Sequence, residues 1–129
     1  MKTAKELWEA VYTVVDAGDS AAVAELCDAE LEIRTASQGK KGAKRLAEMF
    51  VQQHGLYTEL ERRVDGLIES ADGSALSVEL TMSGVPKGTE HRLTWNVVET
   101  VRADAGRIVS WHAMLDRTGL VQQIRALHG

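Results

Sequence analysis

The run from Arg92 to Ala103 alternates in polarity, and one residue breaks the alternation where chemistry would be done. Leu93, Trp95, Val97, Val101 and Ala103 fall on one face of a strand, and Glu99 falls among them. Arg92, Thr94, Asn96, Val98, Thr100 and Arg102 fall on the other face. A carboxyl group on an apolar face is costly to ionise, because losing water favours its neutral form and raises its pKa. Such a group donates a hydrogen bond or shuttles a proton near neutral pH. Neighbouring runs offer matching apolar faces, Leu76, Val78, Leu80 and Met82 in one, Val109, Trp111, Ala113 and Leu115 in the other. If the faces are shared, Glu99 points into a cavity walled by Trp95 and Trp111. Two other outcomes stay open: a bulge or slip that turns Glu99 outward, or a nearby arginine that pairs with it.

Other chemistry-bearing residues form weaker patterns. His54, His91, His112 and His128 lack metal-ligand spacing, and one cysteine cannot complete a zinc set, so no metal is expected. His112 lies opposite Trp111 in strand parity and is expected outside; His54 suits a helix C-terminus; His91, near a turn, is a candidate for the pocket rim. No nucleophile signature of the G-x-S-x-G or Cys-His kind is present. Lys40, Lys41, Lys44 and Arg45 cluster at the start of a helix without a phosphate-binding motif, which reads as a solvated face. Arg34 follows Ile33 and either lines the pocket mouth or faces solvent. Cys27 reads as a small buried hydrophobe.

The elements that must position Glu99 follow from periodicity. Leu7, Trp8, Val11, Tyr12, Val14 and Val15 make a helical stripe over residues 4–16, stopped at Ala17-Gly18. Asp19 or Ser20 can cap a short second helix with Ala22, Val23, Leu26 and Cys27 inward. Leu31 and Ile33 alternate with Glu32 and Arg34 in a short strand. A polar loop from Ser37 to Gly42 leads to a third helix carrying Leu46, Met49 and Phe50 and ending at Gly55. Strand-like runs near 57–69, 75–83, 91–103 and 107–115 are separated by turn residues suited to antiparallel hairpins. Asp116 can cap a last helix to about Leu127. Helices followed by a strand meander predict an α+β domain with helices packed on a curved sheet, hence a cone with an open, pocket-like end.

Composition sets the outer limits. A chain of 129 residues, 44% hydrophobic and 26% charged, has the balance of one folded domain spanning 1–129. A net charge of −4 argues against nucleic acid as a partner. No stretch approaches a membrane span, and the first residues lack a signal-peptide core. A lone cysteine makes a reducing cytoplasm the expected location.

The order helix, helix, strand, helix, strand meander, with Gly106-Arg107-Ile108-Val109, Asp116 and Gly119-Leu120-Val121-Gln122-Gln123-Ile124 near its end, resembles the polyketide cyclase (SnoaL-like) branch of the nuclear transport factor 2-like (NTF2-like) superfamily. Val15-Asp16-Ala17-Gly18-Asp19 is similar to the corner between the first helices of ketosteroid isomerases. The resemblance covers nearly the whole chain and implies a cone-shaped curved antiparallel sheet around three helices, with a short C-terminal helix. It also implies a homodimer formed through the outer sheet face. In ketosteroid isomerases a helix tyrosine and a protonated strand acid make the oxyanion hole. Glu99 falls at that acid; the tyrosine position falls on Val11, with Tyr12 one step away. The position of the isomerase base falls near Thr35, and those of the limonene epoxide hydrolase charges fall on Val78, Leu80 and Ala113, none of them ionisable. The expectation is therefore a cofactor-independent isomerase, cyclase or dehydratase acting on a hydrophobic cyclic compound. Glu99 is its acid or base and Tyr12 its oxyanion donor. Trp8, Trp95 and Trp111 clamp the ligand, and Arg34 or His91 gates the mouth. The alternative is a non-catalytic ligand-binding or dimerisation protein of the same fold.

Overall fold

The structure, a computed structural model, describes residues 1–35 and 39–128; of Arg117, Thr118, Leu127 and His128 only the backbone is described. Helix α1 covers Ala4–Asp16 and begins at a reciprocal cap. The Thr3 hydroxyl accepts from the Glu6 backbone at 3.2 Å, and the Thr3 backbone donates to the Glu6 carboxylate at 3.0 Å. Its buried face is Ala4, Leu7, Trp8, Val11, Tyr12 and Val15, the stripe expected of the sequence.

The second helix, Ser20–Leu26, is a 3₁₀ helix, and Asp19 precedes it without a side-chain capping bond. Strand β1 covers Cys27–Thr35. The expected polar loop is a loop only in part: Gly39–Lys41 forms strand β2 and pairs antiparallel with Glu32–Arg34, while residues 36–38 lie outside the described residues. Helix α2, Ala43–Leu56, runs one residue past Gly55 and passes straight into β3, Tyr57–Glu69. Strands β4 (Ala75–Pro86), β5 (Leu93–Asp104) and β6 (Arg107–Leu115) and helix α3 (Arg117–His128) complete the chain.

The six strands form one curved, unclosed sheet in the order β2-β1-β6-β5-β4-β3. Its pairs are antiparallel except β1 with β6, which run parallel. The long connection between β1 and β6 leaves parallel pairing open, which a hairpin would not. The β5–β6 register shifts between Arg102 and Ala103, which skips Val109. Ile108 therefore enters the core in the place expected for Val109, a bulge re-aiming the strand end.

The main core joins α1 and α2 to the inner sheet face through Leu7, Val11, Leu46, Phe50, Leu76, Val78, Leu80 and Trp111. A smaller cluster of Met82, Leu93 and Trp95 lies toward the C-terminal helix, where Leu120 packs on it. Asp116 accepts from the Gly119 backbone N–H at 3.1 Å, the helix-capping role its residue type predicts. Gln123 of α3 then bonds both the N–H and the C=O of Thr94, at 2.9 and 2.6 Å. Among the described residues no helix is long and apolar enough to cross a membrane.

Candidate functional site

Trp8 and Tyr12 stand four residues apart on the buried face of α1, so both side chains project from successive turns toward the sheet. Both reach Glu99. The Trp8 Nε1–H donates to Oε1 at 2.9 Å. The Tyr12 hydroxyl lies 2.8 Å from Oε1 and 2.7 Å from Oε2, so its one proton is shared between the two carboxyl oxygens. Glu99 itself is only 6% exposed. Its place on the inner face is fixed by an unbroken β4–β5 register, with Val78 opposite on β4 and Ala113 opposite on β6. The strand neither bulges nor slips before Arg102, and among the described residues no ion pair reaches Glu99.

Burial pushes the Glu99 carboxyl above the ordinary carboxylate range. The bonds from Trp8 and Tyr12 and the positive charge of Arg62 oppose that rise without cancelling it. Burial, and then the neighbouring Glu99 charge, lifts the Tyr12 phenol well above its ordinary value, so it remains a donor across the working pH range. Arg62, from β3, lies over the Tyr12 ring with Cζ 3.8 Å from the centroid. Asp16 holds that guanidinium in a two-pronged pair at 3.2 and 2.7 Å. Aromatic edges pack around the same phenol: Trp8 at 5.1 Å and Phe50 at 5.6 Å between ring centroids.

These groups border a cavity of about 300 Å³. Leu46, Met49 and Phe50 of α2, Leu80 and Met82 of β4, Trp95 and Val97 of β5, and Trp111, Ala113 and Leu115 of β6 give it apolar walls. Tyr12, Thr35, Gln53 and Glu99 are its other lining residues, and Glu99 is the one carboxylate among the described lining residues. Gln53 was missed by the sequence reading, although it continues the Leu46–Met49–Phe50 stripe at helical spacing. Arg62 was missed as well.

Glu99, Tyr12, Trp95 and Trp111 thus meet at one cavity. Trp8 does not line it; its indole acts from behind, on the carboxyl. Arg34 is exposed on the outer face, paired with Glu32 at 3.5 Å, because Ile33 beside it takes the inward position. His91 is exposed in the connection before β5 and is also absent from the cavity wall. Neither residue lines the cavity. His112 faces outward, with Nε2 3.5 Å from Glu32 Oε1. Among the described residues no cluster of His, Cys, Asp and Glu is arranged to hold a metal ion.

A curved, unclosed sheet wrapped over helices is the fold of NTF2-like proteins. The chain belongs to the SnoaL-like family, whose domain matches residues 8–111. An NTF2-like protein of Burkholderia thailandensis shares 20% identity over 96% of this chain and 98% of its own, with a TM-score of 0.79. A SnoaL-like polyketide cyclase of Agrobacterium tumefaciens shares 15% over 96% and 99%, with a TM-score of 0.78. An LEH-like epoxide hydrolase of M. tuberculosis shares 19% over 90% and 80%, with a TM-score of 0.71. At these identities the likeness is one of fold. No curated protein matches the chain in sequence.

Proposed function

We propose that the chain is a cofactor-independent enzyme that moves a proton on a small hydrophobic, cyclic compound. The observation that carries this reading is the buried Glu99 carboxyl, held by Trp8 and Tyr12 at the border of an otherwise largely apolar cavity. When Glu99 is protonated on Oε2, that proton can be donated to the Tyr12 oxygen 2.7 Å away. The Tyr12 hydroxyl is then released toward a ligand oxygen, where it stabilises a developing oxyanion. When Glu99 is ionised it accepts a proton instead, and its raised pKa brings the two states closer in energy near neutral pH. Isomerisation, aldol-type cyclisation and dehydration all use such a step. Trp95 and Trp111 hold the ligand's apolar body. Pairing of two copies across the outer sheet face goes with this reading.

The second reading is a ligand carrier or sensor with no turnover. It is favoured by the absence of any other carboxylate among the described lining residues: Thr35, Leu80 and Ala113 border the cavity where related enzymes carry ionisable groups. A cone packed shut by its own side chains is disfavoured, since about 300 Å³ accommodates a small ring system. The test is a panel of cyclic ketones and enones with wild type and Glu99→Gln. Turnover that falls at least about 100-fold in the variant, with affinity kept within a few-fold, supports the enzyme. Binding without turnover in wild type sinks the enzyme and leaves the carrier. No binding at all sinks both.

A further inference from the structure

The Arg62–Asp16 pair lies outside every role described so far, yet it abuts the residue that holds Glu99. Arg62 sits on the edge strand β3 directly across from Met82, so its side chain starts from the inner face of the sheet. Its guanidinium spans from the end of α1, where Asp16 grips both outer nitrogens, to the face of the Tyr12 ring. A bidentate pair fixes the plane of a guanidinium, which a single contact would leave free to rotate. The ring below it is confined on other sides by Trp8, Phe50 and Trp111.

We propose that Arg62 is a positioning residue for the Tyr12–Glu99 pair: clamped by Asp16, its guanidinium holds the Tyr12 ring so that the phenol stays on the carboxyl. The role rests on the functional reading above for its consequence in turnover, while the geometry stands without it. The cation also acts on the site through the ring. It favours the ionised carboxyl from a distance, but no contact of the pair puts the guanidinium on Glu99 itself. The remaining charged or titratable groups around Arg62, which are His54, Glu61, Arg63 and Arg92, border an open groove with Asp16, where water and salt screen them.

The test reads Glu99 directly, by carboxyl NMR titration, together with the Tyr12 hydroxyl proton resonance. Arg62→Met removes the cation and keeps an apolar chain of similar reach; Glu99 should then titrate at higher pH, with the Tyr12 hydroxyl signal broadened or lost. Arg62→Lys restores a charge without the planar fork, so the Glu99 titration should return toward wild type while the Tyr12 signal does not. Asp16→Asn keeps the cation but opens the clamp, and should likewise broaden or lose the Tyr12 hydroxyl signal. A simple staple between β3 and α1 would lower thermal stability in all three variants and leave the Tyr12 hydroxyl signal in place, and that result overturns the proposal. If Arg62→Met does not fold, Asp16→Asn decides the matter: a broadened or lost Tyr12 hydroxyl signal there supports the clamp, and an unchanged signal overturns it equally. None of these readouts needs a ligand. Expected shifts without any turnover or binding would therefore sink the proposed function while leaving Arg62 its role.

Discussion

Replacing Tyr12 with Phe removes one oxygen from the centre of the site and little else. The ring keeps its packing against Trp8, Phe50 and Trp111, and the cation of Arg62 keeps an aromatic face. Glu99 keeps the Trp8 bond on Oε1, but Oε2 loses the one donor described for it. Leaving a buried acceptor unpaired costs about 1–3 kcal/mol, with charged acceptors at the upper end. For a chain of this size that is roughly 4–12 °C in Tm, at about 4 °C per kcal/mol. The loss should depend on pH, with a sign fixed by linkage. Glu99 has a folded-state pKa above its unfolded value. Its favourable contribution is complete below the unfolded pKa and is lost as pH rises through the folded one. Tyr12 stabilises the ionised carboxyl, so the variant's folded pKa lies higher still. The variant then loses more stability than wild type over the same climb. Each unit of separation between the two folded pKa values widens the gap by about 1.4 kcal/mol at high pH. Urea and thermal unfolding from about pH 4 to about pH 9, with carboxyl NMR of Glu99 alongside, measures all of this. A stability gap that stays flat across that range, or a Glu99 titration that fails to move upward, would refute the reasoning.

Filling the cavity should separate ligand binding from folding. Ala113→Leu extends a lining side chain into the space of about 300 Å³. Unfolding stability should change by no more than about 1–3 kcal/mol, the range for small-to-large changes, and the affinity for a bicyclic enone should fall at least about tenfold, read by calorimetry. Asp116→Ala removes the acceptor for the Gly119 N–H and should cost about 1 kcal/mol, with faster amide hydrogen exchange confined to α3.

The inner face of the sheet was legible because burial on one side imposes a two-residue period. Leu76, Val78, Leu80 and Met82, and Trp95, Val97, Glu99 and Val101, all stand where alternation puts them. The pairing of β1 with β6 was not legible, since a parallel contact across most of the chain leaves no local signature. Strand β2 was hidden by its brevity: three residues, Gly39–Lys41, join the edge of β1 with charged side chains and no apolar face. Val109 was misassigned because a bulge skips one residue and shifts the phase of everything before it.

Within the site, Glu99 was legible as a charge in an apolar phase, and Trp8 with Tyr12 as helix neighbours four apart. Arg34 was left between the mouth and solvent, and the solvent outcome holds because its neighbour Ile33 occupies the inward phase. Arg62 escaped for a different reason. It lies in the charged run Glu59–Arg63, which opens on a positive φ of 51° at Glu59, and β3 shifts register twice along its length. Alternation cannot be counted through such a strand, so an inward arginine there reads as one more solvated charge. Its position bears on how the carboxyl works. A direct ion pair would hold Glu99 ionised, and an apolar surround alone would hold it neutral. Two neutral donors in contact, with a cation one aromatic ring further away, oppose the burial that favours the neutral form without cancelling it. In the proposed function, that arrangement is what lets the carboxyl lose and regain a proton as a ligand's charge changes.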